Sequence, residues 1–207
     1  MIGATVNATR QELQKLKNRL KMARRGHKLL KDKRDELMKE FLGLIRRDKD
    51  LRETVERKLS SAYRAFLVSK AVLSEAILEE SFMIPTRTVR VETGARSIMN
   101  VPVPEFRVST EGNWMSYGLA GTSEDLDEAV AHYADVLPPM IELAGIERAV
   151  ELLSEEIEKT RRRVNALEYV LIPELEESVK SIAMRLSEME RSNASRLMKI
   201  KDIVRAH

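Results

Sequence analysis

Apolar or core-compatible residues recur at alternating spacings of three and four along the first third of the chain. The positions selected by this spacing are Leu13, Leu16, Leu20, Ala23, His27, Leu30, Arg34, Leu37, Phe41, Leu44, Asp48, Leu51 and Val55. Such spacing, kept over six repeats, is the heptad pattern of a coiled coil, in which one helix face packs on another helix. Past Val55 the seam slips to Leu59, Ala62 and Phe66.

The ends of this first helix are marked by capping and breaking residues. Thr9 and Glu12 form a capping box, in which a hydroxyl and a carboxylate satisfy the first free backbone N–H groups. The first proline beyond them is Pro85, and proline disrupts a helix interior. The sequence therefore predicts one helix from about Thr9 to Met83.

A second heptad seam occupies the last third of the chain. Thr122 or Ser123 can cap its helix, whose first turn is acidic as the helix dipole favours. The seam runs through Leu143, Ile146, Val150, Leu153, Ile157, Thr160, Val164, Leu167 and Leu171, slips at Pro173, and resumes at Leu175, Val179, Ile182, Leu186 and Met189. Two helices of matching length predict an antiparallel hairpin, with a break or kink at Pro138-Pro139 and a bend at Pro173.

The segment between the helices alternates with period two, as strands do. Residues 88–92 and 97–101 predict a short β-hairpin with its turn near Gly94, while Pro102 and Pro104 keep it out of a larger sheet. The chain from Glu105 to Gly121 is predicted to be irregular. The fold class is therefore all-α, with an N-terminal helix in 1–84, a β-hairpin and connector in 85–122 and a C-terminal helix in 123–207.

Composition supports long exposed helices rather than a thick core, since charged residues make up 33% of the chain and aromatic residues 4%. The absence of cysteine excludes disulfides and thiolate metal sites. No apolar run reaches the roughly 18 residues of a membrane span, and Met1–Thr9 lacks the pattern of a signal peptide. We therefore expect a cytoplasmic protein that reaches a membrane only through partners.

Charge is distributed unevenly along the chain. Residues 10–40 contain 12 Lys or Arg against 5 Asp or Glu, whereas residues 124–147 contain 7 acids and no Lys or Arg. These two parts of the molecule should therefore face different partners.

Catalytic and metal-binding motifs are missing from the sequence. It contains no phosphate-binding loop, no Gly-x-Ser-x-Gly elbow and no His-Glu-x-x-His pair. The three histidines, His27, His132 and His207, are too widely separated to suggest a shared metal. We predict no catalytic residue, no cofactor-binding residue and no metal ligand.

Two basic clusters and one glycine are the remaining candidate functional features. The clusters comprise Arg24, Arg25, Lys28, Arg161, Arg162 and Arg163. They could form a solvated helix face, a surface for a protein partner or a phosphate-binding arm; interleaved acids and the lack of neighbouring aromatics weaken the last. Gly26 lies inside the first helix, where glycine costs about 1 kcal/mol relative to alanine, so close approach of another surface is expected there.

Two stretches resemble signature segments of the D subunit of A/V-type ATPases. They are Gly26–Leu37 (GHKLLKDKRDEL) and Glu156–Pro173 (EIEKTRRRVNALEYVLIP), and the similarity extends to Asn7–Arg10 (NATR). The resemblance implies a non-catalytic central rotor shaft that couples ATP hydrolysis or synthesis to H⁺ or Na⁺ transport through a membrane ring. It also implies a cytoplasmic location, peripheral to the plasma membrane as part of the complex.

The same resemblance implies specific partners. These are the A and B subunits of the catalytic hexamer, the small F subunit of the stalk and the funnel-shaped C/d subunit on the membrane ring, with no direct nucleic acid and no membrane insertion. Both termini would lie inside the hexamer, and the six basic residues would face its inner wall. An alternative from another class is a free-standing coiled-coil adaptor with a basic nucleic-acid-binding arm.

Overall fold

The computed structural model describes residues 8–205. Asn7 and His207, both named above, lie outside this range. In chain order the elements are α1 (Arg10–Val72), α2 (Glu75–Phe82), β1 (Thr88–Ile98), β2 (Val101–Glu111), α3 (Glu124–Ala166), a π turn (Leu167–Leu171) and α4 (Ile172–Arg205). The predicted all-α class is confirmed, because long helices dominate and one two-stranded sheet lies between them in sequence.

Helix α1 begins as predicted and ends earlier. The backbone N–H of Glu12 donates to the Thr9 hydroxyl at 3.2 Å, which satisfies one of the free donors of the first turn. The prediction of one continuous helix to Met83 is wrong, because the chain leaves the helix after Val72 and α2 starts at Glu75. Ser74 adopts an extended backbone (φ −71°, ψ 151°), the conformation that serine favours just before a helix.

Contacts divide the chain into two compact units. The terminal unit combines Met1–Asp35 with Glu158–His207, and the middle unit spans Glu36–Ile157. The terminal unit contains 22 Lys or Arg against 11 Asp or Glu, whereas the middle unit contains 14 against 22. The division therefore separates a basic unit from an acidic one.

In the terminal unit, α1 pairs with α4 in antiparallel fashion. Leu16, Leu175 and Ile182 form a buried apolar cluster, flanked by the partly buried Leu13, Leu20, Ala23, Val179 and Leu186. Ion pairs border it: Arg10 binds Glu190 at 2.6 Å, and Arg24 binds Glu176 at 2.7 Å. Residues later in α1 thus contact residues earlier in α4, as the antiparallel arrangement requires.

The π turn accounts for a change in the spacing of buried residues along the second seam. After Leu171 a strict heptad would place Glu174 on the seam, but the next buried residue is Leu175, one position later. A π turn accommodates one extra residue within a helix, so α4 continues with Leu175 facing inward. Leu171, which the spacing placed on the seam, is 39% exposed within this turn.

In the middle unit, α1 and α3 also run antiparallel, and the hairpin joins their core. Leu37 packs in a buried cluster with Leu153 and Ile157 of α3 and with Val101 and Val103 of β2. Further along, the rings of Phe66 and Tyr133 meet edge to face at 6.4 Å between centroids. Leu59 was also placed on the first seam, but it is 38% exposed.

The β-hairpin differs from its prediction in turn position and length. Its turn is Met99–Asn100, closed by the pair Ile98 and Val101, and not Gly94, which lies within β1 opposite Glu105. Both turn residues have positive φ (51° and 68°), as a two-residue type I′ turn requires, and asparagine tolerates this conformation. Residues 105–111, predicted to be irregular, belong to β2.

Prolines are compatible with β2 because of their register. Pro102 stands opposite Ser97, and Pro104 stands opposite Ala95. Pro102 comes directly after the pair that closes the turn, and Pro104 follows two residues later. Antiparallel pairs alternate between hydrogen-bonded and non-hydrogen-bonded positions, and the pair that closes a two-residue turn is hydrogen-bonded. Both prolines therefore fall where no ladder N–H is needed.

Helix α3 continues through Pro138-Pro139, so of the break or kink predicted there the break does not occur. Packing on either side holds the helix together across the missing N–H groups. Val136 is 1% exposed before the prolines, and Ile146 is 8% exposed two turns after them. Burial of these side chains outweighs the local cost of the prolines, as tertiary contacts commonly override helix propensity.

Candidate interaction surfaces

The six basic candidates all lie in the terminal unit and are exposed, but they are not equivalent. Arg24 binds Glu176 at 2.7 Å, and Arg162 binds Glu158 one helical turn away. Arg25, Lys28, Arg161 and Arg163 have no ion pair within the described part of the chain. Four of the six cations therefore remain available for a partner.

Helix geometry gathers the first cluster into one groove. Lys17, Lys21, Arg24 and Lys28 follow each other at spacings of four, three and four, so they form a row along α1. With Arg25 and Leu20 they line a shallow surface groove. Sequence reasoning omitted Lys17 and Lys21, although their spacing from Arg24 was a readable signal.

The positive charge of the second cluster is partly offset by a carboxylate of the same helix. The Arg162 guanidinium donates to Glu158 and lowers the pKa of that carboxyl, with smaller contributions from Arg161 and Lys159. Glu158 therefore stays ionised, and it offsets part of the positive charge of the triplet. Exposed pairs of this kind contribute little to stability, so they do not determine the fold.

Two polar residues on the first seam, His27 and Arg34, have partners within the described residues. His27 is half-buried, and its Nε2 lies 3.3 Å from a carboxylate oxygen of Glu168 in the π turn. Arg34 binds Asp35 at 2.7 Å. Within residues 8–205 no group of three or more His, Asp or Glu could hold a metal ion. These contacts give His27 and Arg34 structural roles.

The remaining seam candidates vary in burial. Leu37, Leu153 and Val164 are at most 1% exposed, while Leu16 and Ile157 are 7% and 8% exposed. The partly buried members are Leu13, Leu20, Leu30, Phe41, Leu44, Val150 and Leu167. The seam thus contains a few fully buried positions and many partly exposed ones, as expected where one helix packs against one other helix.

The connector before α3 is tied to that helix by one hydrogen bond that sequence reasoning missed. The Tyr117 hydroxyl donates to Asp127 at 2.7 Å. Partial burial, followed by the hydrogen bond and the nearby charge of Asp127, raises the pKa of Tyr117 well above its usual range. A tyrosine ten residues before an acidic helical turn gives no pattern from which this contact could be read.

Several large apolar side chains of the middle unit are exposed to solvent. Val72, Phe82, Met83, Ile84 and Leu119 are between 47% and 73% exposed. They belong to the end of α1, to α2 and to the connectors that follow. Among the described helices none is both long and apolar enough to cross a bilayer.

Comparison with known proteins identifies the family. The family model for the D subunit of ATP synthase matches residues 12–202. The chain is 52% identical to the D subunit of the V-type ATP synthase of Acetivibrio thermocellus, over 96% of this chain and 91% of that protein. It is 49% identical to the D subunit of the V-type ATP synthase of Clostridioides difficile, over 99% of this chain and 93% of that protein.

These matches cover both basic clusters and the hairpin, and nothing in them supports a free-standing nucleic-acid-binding adaptor. A model match over most of the chain, with relatives near half identity along nearly their full length, shows that this chain belongs to the family of ATP synthase D subunits.

Proposed function

We propose that this chain is the central rotor shaft, the D subunit, of an A/V-type rotary ATP synthase. The observation that carries the proposal is the family match over residues 12–202, which includes both long helical segments and the hairpin between them. The chain is a structural stalk component and does not catalyse ATP turnover itself. Its role is to couple ATP hydrolysis or synthesis in the A/B hexamer to ion transport through the membrane ring.

Paired helices suit a torque-bearing role. Each unit joins two antiparallel helices by apolar clusters, and ion pairs such as Arg10 with Glu190 border them. Twisting one helix alone would break these contacts, so the two must turn together. An asymmetric shaft of this kind favours a different conformation in each of the three nucleotide sites around it.

We assign the terminal unit to the A and B subunits. Its charge is strongly basic, and Arg25, Lys28, Arg161 and Arg163 have no ion pair among the described residues. The six basic candidates, including Arg24 and Arg162, would then face the inner wall of the hexamer. Attraction to acidic loops on that wall would position the shaft without a rigid fit.

We assign the exposed apolar side chains that follow α1 in the middle unit to contact with the funnel-shaped C/d subunit. Phe82, Met83 and Ile84 project from the region that follows α1, and each is at least 47% exposed. Covering apolar side chains with another protein removes apolar area from water, which favours association. The small F subunit is the remaining stalk partner, and the chain would be cytoplasmic, peripheral to the plasma membrane.

Co-purification from native membranes tests this proposal. A tagged chain should bring down the A, B and F subunits and the funnel-shaped subunit in stoichiometric amounts. The purified chain alone should hydrolyse no ATP. A chain that migrates alone and retards DNA at physiological salt would contradict the rotor assignment and favour the adaptor.

A further inference from the structure

Gly26 lies in the interior of α1, and nothing in the described chain explains it. A Cβ built at this position would meet no heavy atom within 4 Å beyond its chain neighbours and its own helix backbone. Glycine weakens a helix interior relative to alanine. The close approach that the sequence suggested is therefore not made by residues 8–205, and among these residues the space is open to a partner.

Two exposed apolar side chains border this space. Met22 and Leu29 lie four residues before and three residues after Gly26, so all three share one face of α1. Met22 is 65% exposed and Leu29 is 71% exposed. The backbone at Gly26 is thus the floor of a notch whose two walls are apolar.

The helix facing this level of α1 also exposes apolar groups. His27, next to Gly26, contacts Glu168 at 3.3 Å, and this contact brings the π turn beside the notch. Tyr169 and Val170, which follow Glu168, are 72% and 53% exposed. Both helices of the terminal unit therefore expose apolar side chains near the contact between His27 and Glu168, although most of the exposed residues of this unit are charged.

Charge around the notch selects its occupant. Arg19 lies one turn before Met22, and Arg25 lies next to Gly26; neither has an ion pair among residues 8–205. The terminal unit as a whole has twice as many basic as acidic residues, so the same unit of a second copy would be repelled. A partner that carries acidic residues around an apolar side chain fits both the walls and the charge.

We propose that Met22, Gly26 and Leu29 form a socket that receives one bulky apolar side chain from an acidic segment of the A or B subunits. This inference rests on the proposed rotor function, and it adds a point of direct apolar contact to the electrostatic surface described there. A glycine floor lets the incoming side chain touch the helix backbone, which no larger residue would allow.

Gly43 provides a matched control within the same helix. A Cβ at Gly43 also meets nothing within 4 Å. Its neighbours one turn away on either side are Lys39, Glu40, Arg46 and Arg47, so its surroundings are charged and lack apolar walls. A leucine at position 43 changes helix propensity as a leucine at 26 does, without filling a socket.

The test compares Gly26→Leu, Gly26→Ala and Gly43→Leu. In the isolated full chain all three should raise the thermal midpoint slightly, because each replaces a helical glycine and meets no clash. Binding to a reconstituted hexamer of A and B subunits at physiological salt should weaken by about tenfold or more for Gly26→Leu. It should weaken less for Gly26→Ala and not at all for Gly43→Leu.

Crosslinking locates the contact. Because the chain has no cysteine, Leu29→Cys can carry a single photoreactive benzophenone. The expected product joins it to an A or B peptide that contains acidic residues, and a product with a second copy of this chain would overturn the proposal. If the wild-type chain fails to bind the hexamer, the rotor assignment fails; if it binds and Gly26→Leu binds equally well, only the socket fails.

Discussion

Phe106 of β2 lies directly against the backbone of Gly145 in α3, where an added Cβ would come within 3.2 Å of the ring carbon Cδ2. This contact anchors the hairpin to the helix beside the buried cluster of Val101 and Val103. Glycine at 145 therefore leaves room for the Phe106 ring of the hairpin, although it destabilises the helix that contains it.

The Phe106 and Gly145 contact predicts a specific non-additivity. In the Phe106→Ala background, Gly145→Ala should stabilise the chain by about 1 kcal/mol, the usual helical gain. In the wild-type background the gain should be smaller or reversed, because the ring must move. Urea unfolding of the four variants measures the difference, and equal effects in both backgrounds would mean that the ring does not press on Gly145.

Burial ranks the seam positions for charge substitution. Leu37→Asp should unfold the middle unit, because Leu37 is 0% exposed and an unpaired buried carboxylate costs several kcal/mol. Leu167→Asp should destabilise the chain less, since Leu167 is only partly buried. Thermal melts followed by circular dichroism test this order, with the exposed Leu29→Asp as a control that should melt near wild type.

The second basic cluster should affect coupling rather than folding. Changing Arg161, Arg162 and Arg163 together to Glu removes one ion pair, that of Arg162 with Glu158, and fully exposed pairs contribute little to folding. Helicity of the isolated chain should therefore persist, while ATP-driven rotation of the reconstituted complex falls. Full coupled activity would show that the triplet is only a solvated surface, and lost helicity would assign it to the fold.

Alkaline pH should expose the role of Tyr117. Folding raises the pKa of this phenol, so the stability it contributes is complete below its unfolded pKa of about 10 and declines as the pH rises above that value. Tyr117→Phe lacks the hydrogen bond to Asp127 and should be less stable at neutral pH. The gap between the two melting curves should narrow above pH 10, and a constant gap would contradict the argument.

The π turn should depend on chain length rather than on Pro173. Deleting Val170, which is 53% exposed, removes the extra residue and should restore a regular α-helix with Leu175 still on the seam. Pro173→Ala should leave the π turn in place, because the seam spacing is unchanged. Crystal structures of the two variants distinguish these causes.

Periodicity was informative where burial determines structure. Heptad spacing singled out Leu37 and Val164, and both are sealed from solvent. It also showed the slip at Pro173, but spacing alone does not say whether a helix bends, breaks or forms a π turn. The answer depends on Leu175 being drawn back to the seam by its packing against α1.

Local signals misled the prediction at the hairpin. Gly94 looked like the turn because glycine is the usual residue for positive φ, yet Met99 and Asn100 adopt that conformation. The register of the two strands determines the position of the turn. That register depends on Val101 and Val103 packing in the core of the middle unit. Partners of long side chains were equally hidden, since Arg24 finds Glu176 only once α1 and α4 are paired.

Separation of charge between the two units has a consequence for the rate of assembly. The terminal unit contains twice as many basic as acidic residues, so an acidic partner surface would attract it over a distance and raise the rate of encounter. Because mobile ions screen charges beyond about 10 Å at 0.1 M salt, this attraction should weaken steeply as ionic strength rises.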